Sequence, residues 1–72
     1  MGYDEVELFR VVETIPEIRD GEPTGNVRRI VSGPYTVLSA ARAARTREQR
    51  TTWHVNTTFT IERTLAVWTE VE

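Results

Sequence analysis

The chain has 72 residues, nine of them basic and eleven acidic, no cysteine, and a formal net charge of −2. A domain of this size buries only about 60% of the surface its unfolded chain exposes, and without cysteine neither a disulfide nor a thiolate metal cluster can supplement its core. One small domain over residues 1–72 is therefore expected, leaning on a thin hydrophobic core and on self-association as a homodimer.

No apolar run approaches the ~20 residues of a membrane span. The acidic opening MGYDEVELF lacks the basic start and apolar centre of a signal peptide, and Val6 stands where N-myristoylation requires Ser or Thr. A cytoplasmic protein with no membrane partner is expected. Charge is segregated: residues 1–26 sum to −5, residues 27–50 to +5 and residues 51–72 to −2. All nine basic residues are arginine, a bias that fits a GC-rich genome and also suits bidentate contacts to carboxylate or phosphate.

In chain order, VELFRVVETI (6–15) is rich in β-branched and aromatic residues and predicts a strand. Phe9, Val11 and Ile15 lie on one face, with Leu8 and Val12 on the other; Glu5, Glu7 and Glu13 share a face and read as solvated acids. PEIRDGEPTGN (16–26), with two prolines and two glycines, predicts a long polar turn, and VRRIVS (27–32) a second strand pairing antiparallel with the first. Gly33-Pro34 ends that strand, because proline cannot donate to a ladder.

A helix is predicted over 37–50, with Thr36 as its N-cap and Tyr35 and Ala40 spaced as a hydrophobic staple. At ~100° per residue, Val37, Ala40, Ala41 and Ala44 fall on one arc, with Arg42, Arg45, Thr46 and Gln49 opposite and Arg50 at the edge. From Trp53 to Glu62 the pattern has period two, with Trp53, Val55, Thr57, Phe59 and Ile61 on one face and His54 on the other, predicting a third strand over 53–62. A break at Arg63-Thr64 would return residues 65–71 as a fourth. The expected fold is α+β: a ββαββ domain whose antiparallel sheet of three to four strands, in order 2-1-3-4, carries one helix across one face.

Little here carries reaction chemistry. Nucleophilic catalysis needs a nucleophile beside a base, and the chain has no cysteine and one histidine, His54, expected to be exposed. No ligand spacing points to zinc, and Gly21 and Gly25 match no phosphate loop. No catalytic residue, metal ligand or cofactor is expected. The arginines Arg42, Arg45, Arg47 and Arg50, with Arg28-Arg29 on the preceding strand, offer a phosphate-binding footprint. Against it stand the negative net charge and the absence of interleaved aromatics; neutralisation by the acidic first strand is the plainer reading. Among the aromatics Tyr3, Phe9, Tyr35, Trp53, Phe59 and Trp68, Trp53 and Phe59 read as core. Trp68, in opposite register to Leu65, Val67 and Val71, reads as a surface anchor on an edge strand or as a late addition to the core.

The succession SGPY, AARAAR, TIER and WTEVE resembles small accessory proteins of actinobacteria and their phages, in which a Gly-Pro-Tyr turn precedes an Ala- and Arg-rich helix and an acidic, Trp-bearing strand follows. The resemblance covers roughly residues 27–72, while the long turn at 16–26 departs from it. It implies a phage or prophage origin and assigns no functional residue. Together these readings predict a non-enzymatic protein-binding or adaptor module acting on a host protein. Its contact residues would be Arg42, Arg45, Thr46, Gln49, Arg50 and Trp68. The alternative is a nucleic-acid-binding protein using the same arginine face.

Overall fold

The computed structural model describes residues 4–72; Tyr3 lies outside the described residues. Strand β1 (Asp4–Arg19) is followed by β2 (Glu22–Tyr35), helix α1 (Leu38–Thr51) and strand β3 (Thr58–Trp68). The three strands form one antiparallel sheet in the order β2-β1-β3, so β2 and β3 flank β1 and α1 carries the chain over it. The architecture is α+β, with strand, strand, helix, strand in place of the expected ββαββ.

The first two strands are longer than their apolar runs. β1 and β2 continue through residues 16–26 and join at Asp20-Gly21, both at positive φ (54° and 80°), between the paired Arg19 and Glu22. That is the backbone of a type I′ hairpin, whose twist matches the flanking strands. The prolines and glycines that read as a loop are absorbed in two ways. Pro16 pairs with Val27 where β3 has already ended (its last pair is Thr14 with Thr58), so the edge of β1 there is open and no donor is missed. Residues 24–26 form a bulge opposite Glu17, with Thr24 Oγ1 donating to Glu17 Oε1 at 3.0 Å. At the other end Gly33 adopts a φ of 127°, and a Cβ there would lie 3.1 Å from the Phe9 carbonyl oxygen. Only glycine fits that turn-out into the helix.

Helix α1 begins one residue later than the capping pattern implied. Tyr35 still pairs with Phe9, the N-cap is Val37 without a side-chain cap, and Thr36 does not fill that role. The staple between Tyr35 and Ala40 has no N-cap to brace; Tyr35 and Leu38 instead pack on the core.

β3 begins later and ends later than expected. Residues 53–57 are a crossover, with Asn56 at φ 58°, and residues 58–68 run as one strand with no break at Arg63-Thr64. That dipeptide offers no glycine, asparagine or aspartate for a tight turn, and β1 supplies eleven consecutive partners, from Asp4 opposite Trp68 to Thr14 opposite Thr58. The fourth strand over 65–71 is therefore the far half of β3. Trp53, expected in the core, is 83% exposed, and Val55 is exposed beside it.

The core is small. Phe9 and Val11 on β1 meet Ala41 and Ala44 on α1, with Tyr35, Leu38, Phe59 and Ile61 packed around them. The two alanines let the helix lie close to the sheet. On the opposite face of the sheet, which no helix covers, Val12 is 0% exposed. Arg29 opposite Thr14 and Glu62 opposite Arg10 form an ion pair of 3.0 Å, whose diagonal passes over Val12 between them.

Candidate functional site

The expected contact residues fall into two separate places. On α1, Arg42, Thr46, Gln49 and Arg50 are exposed, as their arc implied, and the Thr46 hydroxyl donates to the Arg42 carbonyl oxygen at 3.1 Å. Arg45 is half-buried. The docked arc centres on Ala41, and at ~100° per residue Arg45 sits only about 40° from it, which accounts for its partial burial. Among the described residues none of Arg42, Arg45, Arg47 and Arg50 forms an ion pair. The expected neutralisation of the basic middle by the acidic first strand is not seen among the described residues: Arg29 pairs with Glu62 of β3, and the other ion pairs of arginine join Arg10 to Glu62, Arg63 to Glu7 and Arg19 to Glu17.

The Arg28-Arg29 pair does not join the helix arginines as one patch. Alternation splits it, with Arg28 on the α1 side and Arg29 on the opposite face with Glu62. Glu62 accepts from Arg10 Nε at 2.7 Å and from Arg29 at 3.0 Å. The hydrogen bond from Arg10 is the largest cause holding its carboxyl below the ordinary value of 4.5; the Arg10 and Arg29 charges add to this and partial desolvation opposes it.

The second place is the far end of β3. Trp68 is 65% exposed, and by alternation it lies with Ala66 on one face, while Leu65 and Val67, also exposed, occupy the other. Val71, grouped with Leu65 and Val67 by register, lies beyond the strand. Nothing among the described residues covers either face beyond the Phe9–Tyr35 pair, where β2 stops.

A third cluster was not anticipated. His54 is half-buried, not an exposed strand residue. Its Nδ1 lies 3.1 Å from Glu13 Oε2, and its Nε2 3.3 Å from an Arg28 guanidinium nitrogen. A guanidinium can only donate, so toward Arg28 the ring offers Nε2 as acceptor, and Nδ1–H then donates to Glu13, setting the imidazole between a carboxylate and a cation. The Thr52 hydroxyl donates to the same Glu13 oxygen at 2.9 Å and accepts from the His54 amide at 3.3 Å. Trp53 lies against His54 with ring centroids 4.3 Å apart.

Chemically, this cluster is a brace. In a catalytic relay Nε2 faces a hydroxyl or thiol to be activated, whereas here it faces Arg28. It ties the C-terminal end of α1 and the crossover to the middle of β1. Its signal in the sequence is Glu13 itself, an acid among Val11, Val12 and Ile15 on a strand bound to be central, which needs a partner once buried. Among the described residues no group of three or more His, Cys, Asp or Glu side chains converges as a metal site, and no helix is long and apolar enough to cross a membrane.

No family model, no curated protein and no solved structure matches this chain.

Proposed function

We propose that the chain is a small non-enzymatic protein-binding module whose contact surface is the far end of β3. The observation that carries this reading is the run Thr64-Leu65-Ala66-Val67-Trp68: its large side chains lie exposed on both faces of an edge strand whose outer side pairs with nothing among the described residues. Three large exposed side chains within the four residues 65–68, in a domain with so few buried ones, mark an interaction site. A tryptophan at its tip supplies the anchor around which such interfaces gather their energy. A photo-crosslinking amino acid at position 68, in cells expressing the protein, tests the reading. Protein adducts from position 68 that are absent from position 20 at the hairpin tip are expected; no adducts from position 68 overturns it.

A second reading, nucleic-acid binding, has one observation in its favour: four helix arginines without ion-pair partners among the described residues. Phosphate contacts release counterions, so binding of labelled duplex or single-stranded DNA should weaken steeply with salt and vanish in the Arg42→Glu/Arg45→Glu variant. No binding at low salt overturns it.

A further inference from the structure

We infer that the partner at the far end of β3 is a second copy of this chain, paired antiparallel edge to edge across Ala66. The inference rests on the binding-module reading and names the occupant of its surface.

The first argument is area. The chain exposes 5847 Å². A compact monomer of 8.3 kDa exposes about 4,600 Å² and has a radius of gyration of about 11 Å, against 16.2 Å here. The excess of about 1,300 Å² belongs to a chain of 57 × 24 × 16 Å, whose two extended ends are the β1–β2 hairpin and the far end of β3, so part of it lies at that edge and is available to a reversible dimer.

The second argument is the character of the edge. Of the two outer strands, β2 is guarded by Gly33-Pro34, the bulge at residues 24–26 and the Arg28-Arg29 pair. Such features keep foreign strands away. β3 from Thr64 to Trp68 has no proline, glycine, bulge or charge. With Leu65 and Val67 on one face and Ala66 and Trp68 on the other, it reads as an inner strand, apolar on both sides, yet stands at an edge. Among the described residues its neighbour there is Asp4–Leu8 of β1, and a two-stranded ribbon is marginal alone.

The third argument selects the occupant and the register. A two-fold axis through the sheet puts the same face of both copies on the same side, so residues of like parity oppose each other. Centring the axis on Glu62 or Arg63 sets each against its own copy, which like charge disfavours. Centring it on Ala66 sets Leu65 against Val67 of the second copy and Thr64 against its Trp68, with no charge in the paired segment. The result is a six-stranded sheet in the order β2-β1-β3-β3-β1-β2 with both helices on one face.

The test is sedimentation velocity of the purified full chain from low micromolar to submillimolar concentration, with amide exchange recorded alongside. A dimer is expected in which alternate amides of residues 64–68 gain protection as concentration rises. Leu65→Lys/Val67→Lys should raise its dissociation constant by about 30-fold or more while leaving the circular dichroism spectrum unchanged; both side chains are exposed in the single chain. Arg42→Glu on the outer face of α1 should leave the dimer intact. A monomer throughout, or protection gained on β2 in place of β3, overturns the inference. A monomer that still crosslinks from position 68 to a different protein overturns self-pairing alone; a monomer that crosslinks to nothing overturns the binding-module reading as well.

Discussion

Replacing Glu13 by alanine tests whether the His54 cluster holds the crossover in place. The carboxylate and imidazole are 12% and 17% exposed, and the carboxylate accepts from the Thr52 hydroxyl at 2.9 Å and from His54 Nδ1 at 3.1 Å. Glu13→Ala leaves both donors without their acceptor. A lost bond costs about 0.5–1.5 kcal/mol net, and more where water cannot replace the partner, so with water reaching this site in part a total of about 2 kcal/mol is expected. For a chain of this length, whose whole stability is about 4–11 kcal/mol, that lowers the melting temperature by about 8–16 °C. Because both bonds end on the one oxygen Oε2, Glu13→Gln can keep them with its amide oxygen and loses the charge alone, so it should cost about half as much. Urea denaturation followed by circular dichroism gives the stabilities. Trp53 emission in a Trp68→Phe background reports whether the crossover has come loose. A cycle with His54→Ala should yield a coupling of about 1 kcal/mol. A Glu13→Ala variant within about 0.3 kcal/mol of the parent, or a zero coupling, would refute the bracing role.

Three further outcomes follow from the same geometry. Val12→Ala should cost about 2 kcal/mol in urea denaturation despite lying on the face without a helix, because the Arg29–Glu62 pair seals it; a change below about 0.5 kcal/mol would mean the pair gives no cover. Gly21→Ala should destabilise by about 1 kcal/mol, since its φ of 80° suits only glycine, whereas Asp20→Gly should be close to neutral. The carboxyl of Glu62 lies below 4.5 in the folded chain, so the stability it contributes is present above 4.5 and lost as pH falls through the lower folded value. Thermal melts of wild type and Glu62→Gln should therefore differ most near neutral pH, converge below pH 4.5, and differ less in high salt; a gap constant from neutral to acid pH would assign the difference to packing alone.

The elements legible in the sequence were those built by near neighbours. The β-branched and aromatic run of residues 6–15, the spacing of Ala41 and Ala44, and the placing of Phe9 and Val11 on one face each reflect local geometry repeated over several residues. The adjacency of the first three strands followed from carrying a helix over the central one. The Asp20-Gly21 hairpin was equally local and was masked by Pro16, Pro23 and Gly25, which stand for a loop unless one knows that the third strand has already ended there. That end point is a tertiary fact. So is the start of β3 at Thr58: an alternating pattern from Trp53 onward is the same text in a strand and in an extended crossover, and only the eleven partners offered by β1 decide between them.

Site chemistry divides the same way. From the sequence the arginine content of α1 and the apolar run of β3 were plain, because composition along one element needs no partner to be seen. Which arginines are neutralised was not plain: Arg10, Arg29 and Glu62 come from three strands, and Arg28, Glu13 and His54 from two strands and a crossover. Contacts between residues as far apart as Glu13 and His54 depend on register, which a single bulge shifts by one position. A strand's own pattern therefore states which face a side chain takes, while the partner it meets there is decided only when the sheet has assembled and the helix has closed over it.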